Sequence, residues 1–233
     1  MINTFLNIEV IKKIATALGE LNEAVVYVGG AVVSLYINDP AADDIRPTKD
    51  IDIFLEIATL AELEEVRLLL KSKGFHQNAE DDVVCRFRFK GVKVDVMSTK
   101  EIGWAPANKW FASGLHHLNK VEIGNKQIRI LSLPYFLASK FSAFENRGKA
   151  EPRTSRDFED ITYILDNRTD LIEELKKAPK EVLAFLNTEF QNILSLTEFQ
   201  EAILGNLYYD TQQERLEIIL NKLKQIINHN KSK

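Results

Sequence analysis

The sequence predicts an α+β fold in which a sheet-containing N-terminal part is followed by an all-helical C-terminal part. Helical and strand signals alternate up to about Leu131, and beyond that residue the strand signals stop while helix-start patterns continue. Two of these patterns are capping boxes, which open at Asp170 and at Thr211. We therefore expect two domains, residues 1–131 and residues 132–233.

The first elements follow from hydrophobic periodicity. Apolar residues recur at helical spacing over residues 7–22, which predicts an amphipathic helix. Residues 24–28 form a short apolar run that predicts a strand, a pair of glycines ends it, and the apolar segment 31–37 has helical length. Residues 50–56 follow a period of two, with apolar side chains at positions 51, 53 and 55 and charged ones at 50, 52 and 56, as a strand with one buried face does.

Cap and turn residues predict the rest of the N-terminal part. Thr59 and Glu62 have capping-box spacing before a helix that Gly74 ends. Lys90-Gly91 and Gly124-Asn125 each separate two apolar runs by two residues, which is the pattern of a β-hairpin. The strands predicted from these turns are residues 83–89, 92–97, 120–123 and 126–131.

The C-terminal part predicts helices. Ser132 with Pro134 marks a helix start, since proline fits the first turn, and we expect that helix to run to about Arg147. A second helix is expected over residues 154–166. The last helix carries an apolar stripe of Leu216, Ile219, Leu220, Leu223, Ile226 and Ile227.

Length and composition are those of an ordinary globular protein. Of the 233 residues 45% are hydrophobic and 27% are charged, which excludes a disordered chain. Cys85 is the single cysteine, so no internal disulfide forms, and no Cys/His spacing suggests structural zinc. No apolar run approaches the roughly 20 residues of a membrane-spanning helix, and the first residues lack a signal-peptide pattern. We expect a soluble cytoplasmic protein without a membrane partner.

The overall charge does not decide the partner. Thirty basic and 34 acidic side chains give a net charge of −4, which argues against a protein covered with nucleic acid. Basic residues nevertheless cluster in two places, where they form either a local groove or a solvated face. The clusters are Arg86, Arg88, Lys90 and Lys93, and Arg147, Lys149, Arg153 and Arg156.

Two acids on the predicted strand 50–56 suggest metal chemistry. Alternate side chains of a strand share a face, so Asp50 and Asp52 lie about 7 Å apart on the same side. Two carboxylates with no packing role suit a cation between them, and oxygen ligands suit Mg²⁺ that is shared with substrate phosphates. An exposed edge strand with alternating charge gives the same pattern, so the Asp-x-Asp motif has two interpretations.

A third acid supports the metal hypothesis. If Lys90-Gly91 is the hairpin turn, Arg86 pairs with Asp95 on the charged face of the hairpin. If the strand of Asp95 lies beside that of Asp50, three carboxylates converge on one site. The alternative is an Arg86–Asp95 ion pair on a solvated face, which contributes little free energy.

Gly29 and Gly30 lie between the first predicted strand and the apolar segment after it. Glycines at that place let backbone N–H groups approach a phosphate closely. A glycine pair alone is more often a turn than a phosphate site. A glycine pair followed by Asp-x-Asp on the next strand and by a third Asp on a later strand is far more specific.

Together these motifs resemble the nucleotidyltransferase superfamily, and within it the AbiEii/AbiGii toxin-type nucleotidyltransferases. Thr48, two residues before the first Asp, belongs to the pattern, and the long spacer between Gly30 and Asp50 departs from many members. The resemblance covers roughly residues 24–165. The matching segments are Tyr27-Val-Gly-Gly-Ala31, Arg46-Pro-Thr-Lys-Asp-Ile-Asp-Ile53, Lys140-Phe-Ser-Ala143-Phe-Glu-Asn-Arg147 and Arg156-Asp157-Phe-Glu-Asp160.

The resemblance implies a small mixed or antiparallel sheet with flanking helices, followed by an all-α domain that completes an active-site cleft. The implied enzyme moves a nucleoside monophosphate from an NTP to a hydroxyl acceptor and releases pyrophosphate. Asp50, Asp52 and Asp95 would hold Mg²⁺ or Mn²⁺, and Asp95 would also help to deprotonate the acceptor.

The resemblance also implies which residues meet the substrates. As a toxin, the protein would modify RNA or tRNA and would be neutralised by an antitoxin. The residues predicted to bind the triphosphate are Gly29, Gly30, Thr48 and Lys140. Lys140 and Asp157 are also predicted catalytic residues: Lys140 would neutralise charge that develops on the phosphates, and Asp157 would orient the triphosphate or assist the acceptor. The residues predicted to contact the acceptor are Arg86, Arg88, Arg147, Arg153 and Arg156.

A second interpretation of Lys140 does not depend on the resemblance. The residue lies on the apolar stripe of its helix beside Phe141, so its ammonium needs an anionic partner. Asp157 and Asp160 share the inward face of the next predicted helix. A buried ion pair that joins two helices and a phosphate contact are both consistent with this pattern, and both can hold at once.

Two other functions fit the same sequence. A small-molecule nucleotidyltransferase, acting for example on an aminoglycoside, would use the same core with an acidic acceptor cleft. A non-enzymatic binding module could retain the fold, although the complete set of Asp50, Asp52 and Asp95 argues against it.

Overall fold

The computed structural model describes residues 2–48 and 50–231, and this part of the chain divides into two compact units. The first unit contains Met1–Ser34 and Asp43–Ser132, and the second contains Leu35–Ala42 and Leu133–Lys233. The short segment Leu35–Ala42 therefore packs with the C-terminal helices rather than with the sheet.

Within the described residues, six strands form one mixed sheet in the order β3-β4-β2-β1-β6-β5. β2 pairs in parallel with β4 and β1 pairs in parallel with β6, whereas the other neighbours are antiparallel. This arrangement confirms the predicted fold class. The strands are β1 (Val26–Val28), β2 (Asp50–Leu55), β3 (Arg86–Phe89), β4 (Val92–Ser98), β5 (Leu118–Ile123) and β6 (Lys126–Leu131).

The hairpin of β3 and β4 forms at its predicted turn. Lys90 and Gly91 have φ angles of +45° and +82°, which a two-residue turn of type I′ requires. The register pairs Arg86 with Asp95, as predicted. β3 begins at Arg86 and not at Val83, because the Arg86 N–H donates to the Val83 carbonyl at 3.1 Å in a preceding turn.

The first helix, α1, spans Ile2–Leu18 and begins earlier than predicted. Asp44 explains the early start, because its carboxylate accepts hydrogen bonds from the N–H groups of Asn3 at 2.8 Å and Thr4 at 3.0 Å. The predicted last turn is instead a 3₁₀ helix, Gly19–Glu23. Local hydrophobic periodicity cannot predict a cap that a distant loop supplies, so the predicted helix start was too late.

The second helix, α2, spans Leu60–Ser72 and begins and ends as predicted. The Thr59 hydroxyl accepts from the Glu62 N–H at 3.2 Å, and the Glu62 carboxylate accepts from the Ala58 N–H at 2.8 Å. Gly74, with φ of +87°, ends the helix.

The apolar segment after the glycine pair forms a 3₁₀ helix, Gly30–Tyr36, and not an α-helix. Val32 and Val33 in this segment are fully buried. A short helix, α3, spans Phe111–Gly114 later in the chain.

Aromatic rings in tilted and edge-to-face contact pack in the core of the second unit. The Phe144 ring lies 4.8 Å from that of Phe158 and 5.5 Å from that of Phe199, and Phe141 contacts Phe190 edge to face at 5.9 Å. The helices around this core are α4 (Leu133–Arg147), α5 (Arg156–Asn167), α6 (Leu171–Lys176), α7 (Lys180–Ser195), α8 (Thr197–Gly205) and α9 (Gln212–Lys231).

One predicted helix start and one predicted side-chain cap of the second unit are corrected. α5 begins at Arg156 and not at residue 154, because the Ser155 hydroxyl accepts from the Phe158 N–H at 3.4 Å and so forms the cap. Asp170 precedes α6 without capping it. Its carboxylate instead accepts from the Asn38 side-chain amide at 2.9 Å, a long-range contact that local spacing cannot reveal.

Among the helices in the described part of the chain, none is long and apolar enough to cross a bilayer.

We expect Gly91→Ala to lower the free energy of unfolding by about 1–2 kcal/mol, because an L-residue is disfavoured at positive φ. A Cβ at Gly91 would meet no atom within 4 Å, so backbone strain alone would be measured. Gly205→Ala is the matched control, since its site is equally open but lies within α8. Urea denaturation should show Gly205→Ala unchanged or stabilised, and equal losses in the two variants would contradict the turn assignment.

Candidate active site

A row of polar side chains crosses the sheet of the first unit. Parallel pairing of β2 with β4 places Asp52 opposite Asp95, and antiparallel pairing of β3 with β4 places Arg86 opposite Asp95. Register partners on neighbouring strands present their side chains to the same face. Because β2 and β4 are neighbours, Asp50, Asp52 and Asp95 share one face of the sheet. These three residues form the acidic row.

The apolar side chains on the opposite face of β2 and β4 fix the position of the three acids. Ile51 and Ile53 of β2 and Val94 and Val96 of β4 are at most 1% exposed, so their burial fixes the register of both strands. A shift by one residue would bury the carboxylates and expose these four side chains. The hydrophobic face therefore positions the acidic one.

The glycine pair lies directly against the acidic row. Gly29 has φ of +74°, and a Cβ at Gly29 would lie 1.8 Å from Oδ2 of Asp52. A Cβ at Gly30 would lie 2.8 Å from Nη2 of Arg46 and 2.8 Å from Cγ2 of Thr48. Both positions therefore require glycine, because neighbouring side chains occupy the space of a Cβ atom.

The loop over Gly30 is held by a buried asparagine of α1. Oδ1 of Asn7 accepts from the N–H and from the hydroxyl of Thr48, each at 3.1 Å, and Nδ2 of Asn7 donates to the Arg46 carbonyl at 3.3 Å. Asn7 is 2% exposed. Neither Asn7 nor Arg46 is among the site residues predicted from the sequence. The sequence offers one indication that Asn7 is buried: the residue lies one helical turn before Ile11, on the apolar face of α1.

Arg86 is the cation of the acidic row. Its Nε donates to Oδ1 of Asp95 and its Nη2 to Oδ2 of Asp95, both at 2.7 Å, and Nη2 lies 3.3 Å from Oδ2 of Asp50. The side chains of Arg86 and Asp95 are 13% and 14% exposed. The hydrogen bonds to Asp95, followed by the charges of the nearby acids, raise the pKa of Arg86. The ion pair considered as the alternative to a metal site is present.

The negative charges of the acidic row affect the pKa of a neighbouring thiol, that of Cys85. Cys85 precedes β3 and is 5% exposed. Burial, and then the charges of Asp95 and Asp52, raise the pKa of the Cys85 thiol to about 11. Cys85 is therefore a packed, protonated thiol at neutral pH.

The chemistry of the donor set fits a hard divalent cation. Carboxylate oxygens are the ligands that Mg²⁺ and Mn²⁺ prefer, and the Arg86 guanidinium already places positive charge among them. Among the described residues, no group of three or more His, Cys, Asp or Glu side chains is placed to hold a metal ion.

The second predicted acceptor residue of the sheet unit also pairs with an acid. Nε and Nη2 of Arg88 donate to the two carboxylate oxygens of Asp81 at 2.8 and 2.7 Å. The Arg88 side chain is 35% exposed. Asp81 lies outside the acidic row, so the two arginines of β3 serve different carboxylates.

In the helical unit, Lys140 lies between two acids of α5. Its Nζ is 2.6 Å from Oδ2 of Asp160 and 3.3 Å from Oδ1 of Asp157, and all three residues are buried. The Arg147 guanidinium reaches the same Asp157 carboxylate, with Nε at 2.7 Å and Nη2 at 3.0 Å. The buried ion pair considered for Lys140 is therefore present and joins α4 to α5.

Asp157 stays ionised within this network. Its burial opposes ionisation, but the hydrogen bond from Arg147 and the charges of Lys140 and Arg147 outweigh that desolvation and lower the pKa of Asp157. Of the remaining predicted acceptor residues, Arg153 pairs with Glu201 and Arg156 is exposed at the start of α5.

Two solved structures resemble this fold. The solution structure of the antibiotic-resistance factor ANT(2'')-Ia matches with a TM-score of 0.50 at 14% identity, covering 81% of this chain and 95% of that one. The crystal structure of an antigenic nucleotidyltransferase-like protein from Paracoccidioides brasiliensis matches with a TM-score of 0.46 at 17% identity, covering 83% and 91%. Comparison with curated proteins yields no match.

The sequence itself matches a family model along most of its length. The model describes the nucleotidyl transferase AbiEii toxin of type IV toxin–antitoxin systems, and the match spans residues 15–229. That range includes the glycine pair, the acidic row and the Lys140 network, and ends within α9. Because the family match covers most of the chain, the chain belongs to the AbiEii nucleotidyltransferase toxin family and is a nucleotidyltransferase.

Proposed function

We propose that the protein transfers a nucleoside monophosphate from an NTP to a hydroxyl group of RNA, with tRNA as the first candidate, and acts as the toxin of a toxin–antitoxin pair. The observation that carries this proposal is the shared sheet face of Asp50, Asp52 and Asp95 beside the glycine pair. Membership of a toxin family supports the biological role and the existence of an antitoxin partner.

Asp50, Asp52 and Asp95 would hold the divalent cations of the reaction, with Mg²⁺ as the first candidate. When bound, such ions neutralise phosphate charge and make a coordinated hydroxyl easier to deprotonate. In the transfer, the acceptor oxygen bonds to the α-phosphorus, the bond from that phosphorus to the bridging oxygen breaks, and pyrophosphate leaves. Asp95 would accept the hydroxyl proton.

The β- and γ-phosphates would lie against Gly29 and Gly30, where backbone N–H groups can approach closely. Arg46 extends the predicted phosphate set, because its guanidinium lies beside Gly30 together with Thr48. A planar guanidinium can donate two parallel hydrogen bonds to phosphate oxygens. Asn7 would serve by holding the loop of Arg46 and Thr48 in place.

The proposed roles of Lys140 and Asp157 in phosphate binding stay predictions. Each already has an ionic partner within the helical unit, so a phosphate contact would extend an existing network. The proposed acceptor contacts of Arg86, Arg88, Arg147, Arg153 and Arg156 stay predictions in the same way.

Asp52→Asn is expected to lower transfer by about 100-fold or more, because a charge that supports the transition state is lost. The assay uses each α-labelled NTP with Mg²⁺ and either total tRNA or aminoglycosides. Asp82→Asn, an exposed acid of the same unit, is the control and should keep full activity. Circular dichroism should show both variants folded. Removal of the Asp52 charge lowers the repulsion among the acids and should not destabilise the protein.

The outcomes of that assay separate the three functions. Label on tRNA that depends on Asp52 supports the proposal. Label on the antibiotic alone would replace it with a small-molecule nucleotidyltransferase. Absence of transfer together with absence of Mg²⁺-dependent NTP binding would indicate a binding module that kept the fold.

Arg46→Gln is expected to raise the KM for the NTP by about tenfold, the cost of one charge-assisted contact to phosphate. Arg67→Gln is the control, because Arg67 pairs with Glu64 on α2. Steady-state kinetics at saturating acceptor would measure both. An unchanged KM in Arg46→Gln would remove Arg46 from the phosphate site.

Arg147→Gln is expected to make the protein more sensitive to acid. The pKa of Asp157 in the folded protein is lowered, so its charge stabilises the fold above the unfolded pKa of about 3.9, and that stabilisation is lost as pH falls through the folded value. Removing Arg147 raises the folded pKa, so acid unfolding should begin at higher pH. Fluorescence titration below pH 5 tests this, and Arg156→Gln should behave as the wild type.

A further inference from the structure

The geometry points to Arg86 as the resident counter-ion of the active site, which a divalent cation must displace from Asp95 in order to bind. This inference rests on the proposed function, because it concerns the same three carboxylates. It assigns to Arg86 control of metal affinity, a role different from the predicted contact with the acceptor.

The contacts of Arg86 show how completely it engages Asp95. Both carboxylate oxygens of Asp95 accept a hydrogen bond at 2.7 Å, one from Nε and one from Nη2 of the same guanidinium. This parallel, two-point arrangement is the strongest pairing that an arginine makes with a carboxylate. The guanidinium then reaches Asp50 at 3.3 Å, so one cation spans two of the three acids.

The charges of the acidic row require such a cation. Asp52 and Asp95 are register partners on neighbouring strands, which lie about 4.8 Å apart. Carboxylates at this spacing repel one another, and the backbone hydrogen bonds between the paired strands keep the strands at that spacing. Arg86 supplies positive charge without any ion from solution.

A divalent cation and Arg86 compete for the same oxygens. Mg²⁺ binds carboxylate oxygens at about 2.0–2.1 Å and tolerates little deviation from octahedral geometry. A guanidinium that holds both oxygens of Asp95 in one plane limits the directions from which an ion can approach. Direct coordination by Asp95 therefore requires at least one hydrogen bond of Arg86 to break.

Arg88 offers a matched control within the same strand. It lies two residues from Arg86 on β3, so both side chains leave the strand on the same face. It makes the same two-point contact, but to Asp81 and not to the acidic row. Replacement of either arginine removes one positive charge from the same surface, and only Arg86→Gln frees Asp95.

The experiment measures Mn²⁺ binding to the full chain without nucleotide, by electron paramagnetic resonance of free Mn²⁺. Arg86→Gln is expected to bind Mn²⁺ about tenfold more tightly than the wild type, the size of effect typical of groups that contact metal ligands. Arg88→Gln should differ from the wild type by about twofold or less, as expected for a screened surface charge.

Arg86→Lys is a second variant that tests the inference even if Arg86→Gln does not fold. Lysine keeps the positive charge but cannot make the two-point contact, so its Mn²⁺ affinity should lie between those of wild type and Arg86→Gln. Thermal melts give a second readout. Mn²⁺ should raise the Tm of each Arg86 variant more than that of the wild type.

Two outcomes would overturn the inference: Mn²⁺ binding that is measurable in the wild type but unchanged or weaker in both Arg86 variants, or equal tightening in Arg86→Gln and Arg88→Gln. Failure of the proposed function looks different. In that case neither the wild type nor any Arg86 variant binds Mn²⁺, and Asp52→Asn has no effect on the binding signal.

Discussion

Mutual repulsion among Asp50, Asp52 and Asp95 is the constraint on which the site depends. The three carboxylates share one face because the buried side chains of β2 and β4 fix the register of the strands. Such a face is stable only with compensating positive charge, and Arg86 supplies it from the edge strand β3. The hydrophobic effect on one side of the sheet thus keeps like charges close together on the other side.

The glycine pair and its covering loop bring opposite charge to the same place. Asp52, which attracts cations, lies against Gly29, and Arg46, which attracts anions, lies against Gly30. Groups of opposite charge therefore flank one backbone bend. Asn7 holds the loop from the buried side of α1. A nucleoside triphosphate with a divalent ion carries both kinds of charge, so this arrangement is consistent with the proposed function.

The Lys140 network shows how one set of residues can have a structural role before any substrate binds. A lysine buried among Phe136, Phe141 and their neighbours is tolerated because Asp157 and Asp160 pair with it. The family motif that contains these residues therefore also joins α4 to α5. Motif residues need not all touch substrate, because some of them secure the fold that carries the others.

The sequence by itself determined the fold class, the hairpin register of Arg86 with Asp95, the glycine requirement and the family, since each depends on local periodicity, turn chemistry or a motif. It could not supply the capping of α1 by Asp44, the loop contacts of Asn7 and Arg46, or the failure of Asp170 to cap α6. Those contacts join residues dozens to more than a hundred positions apart. Only the tertiary structure brought Asp52 beside Asp95, because strand order depends on the packing of the whole sheet and not on the pattern within any strand.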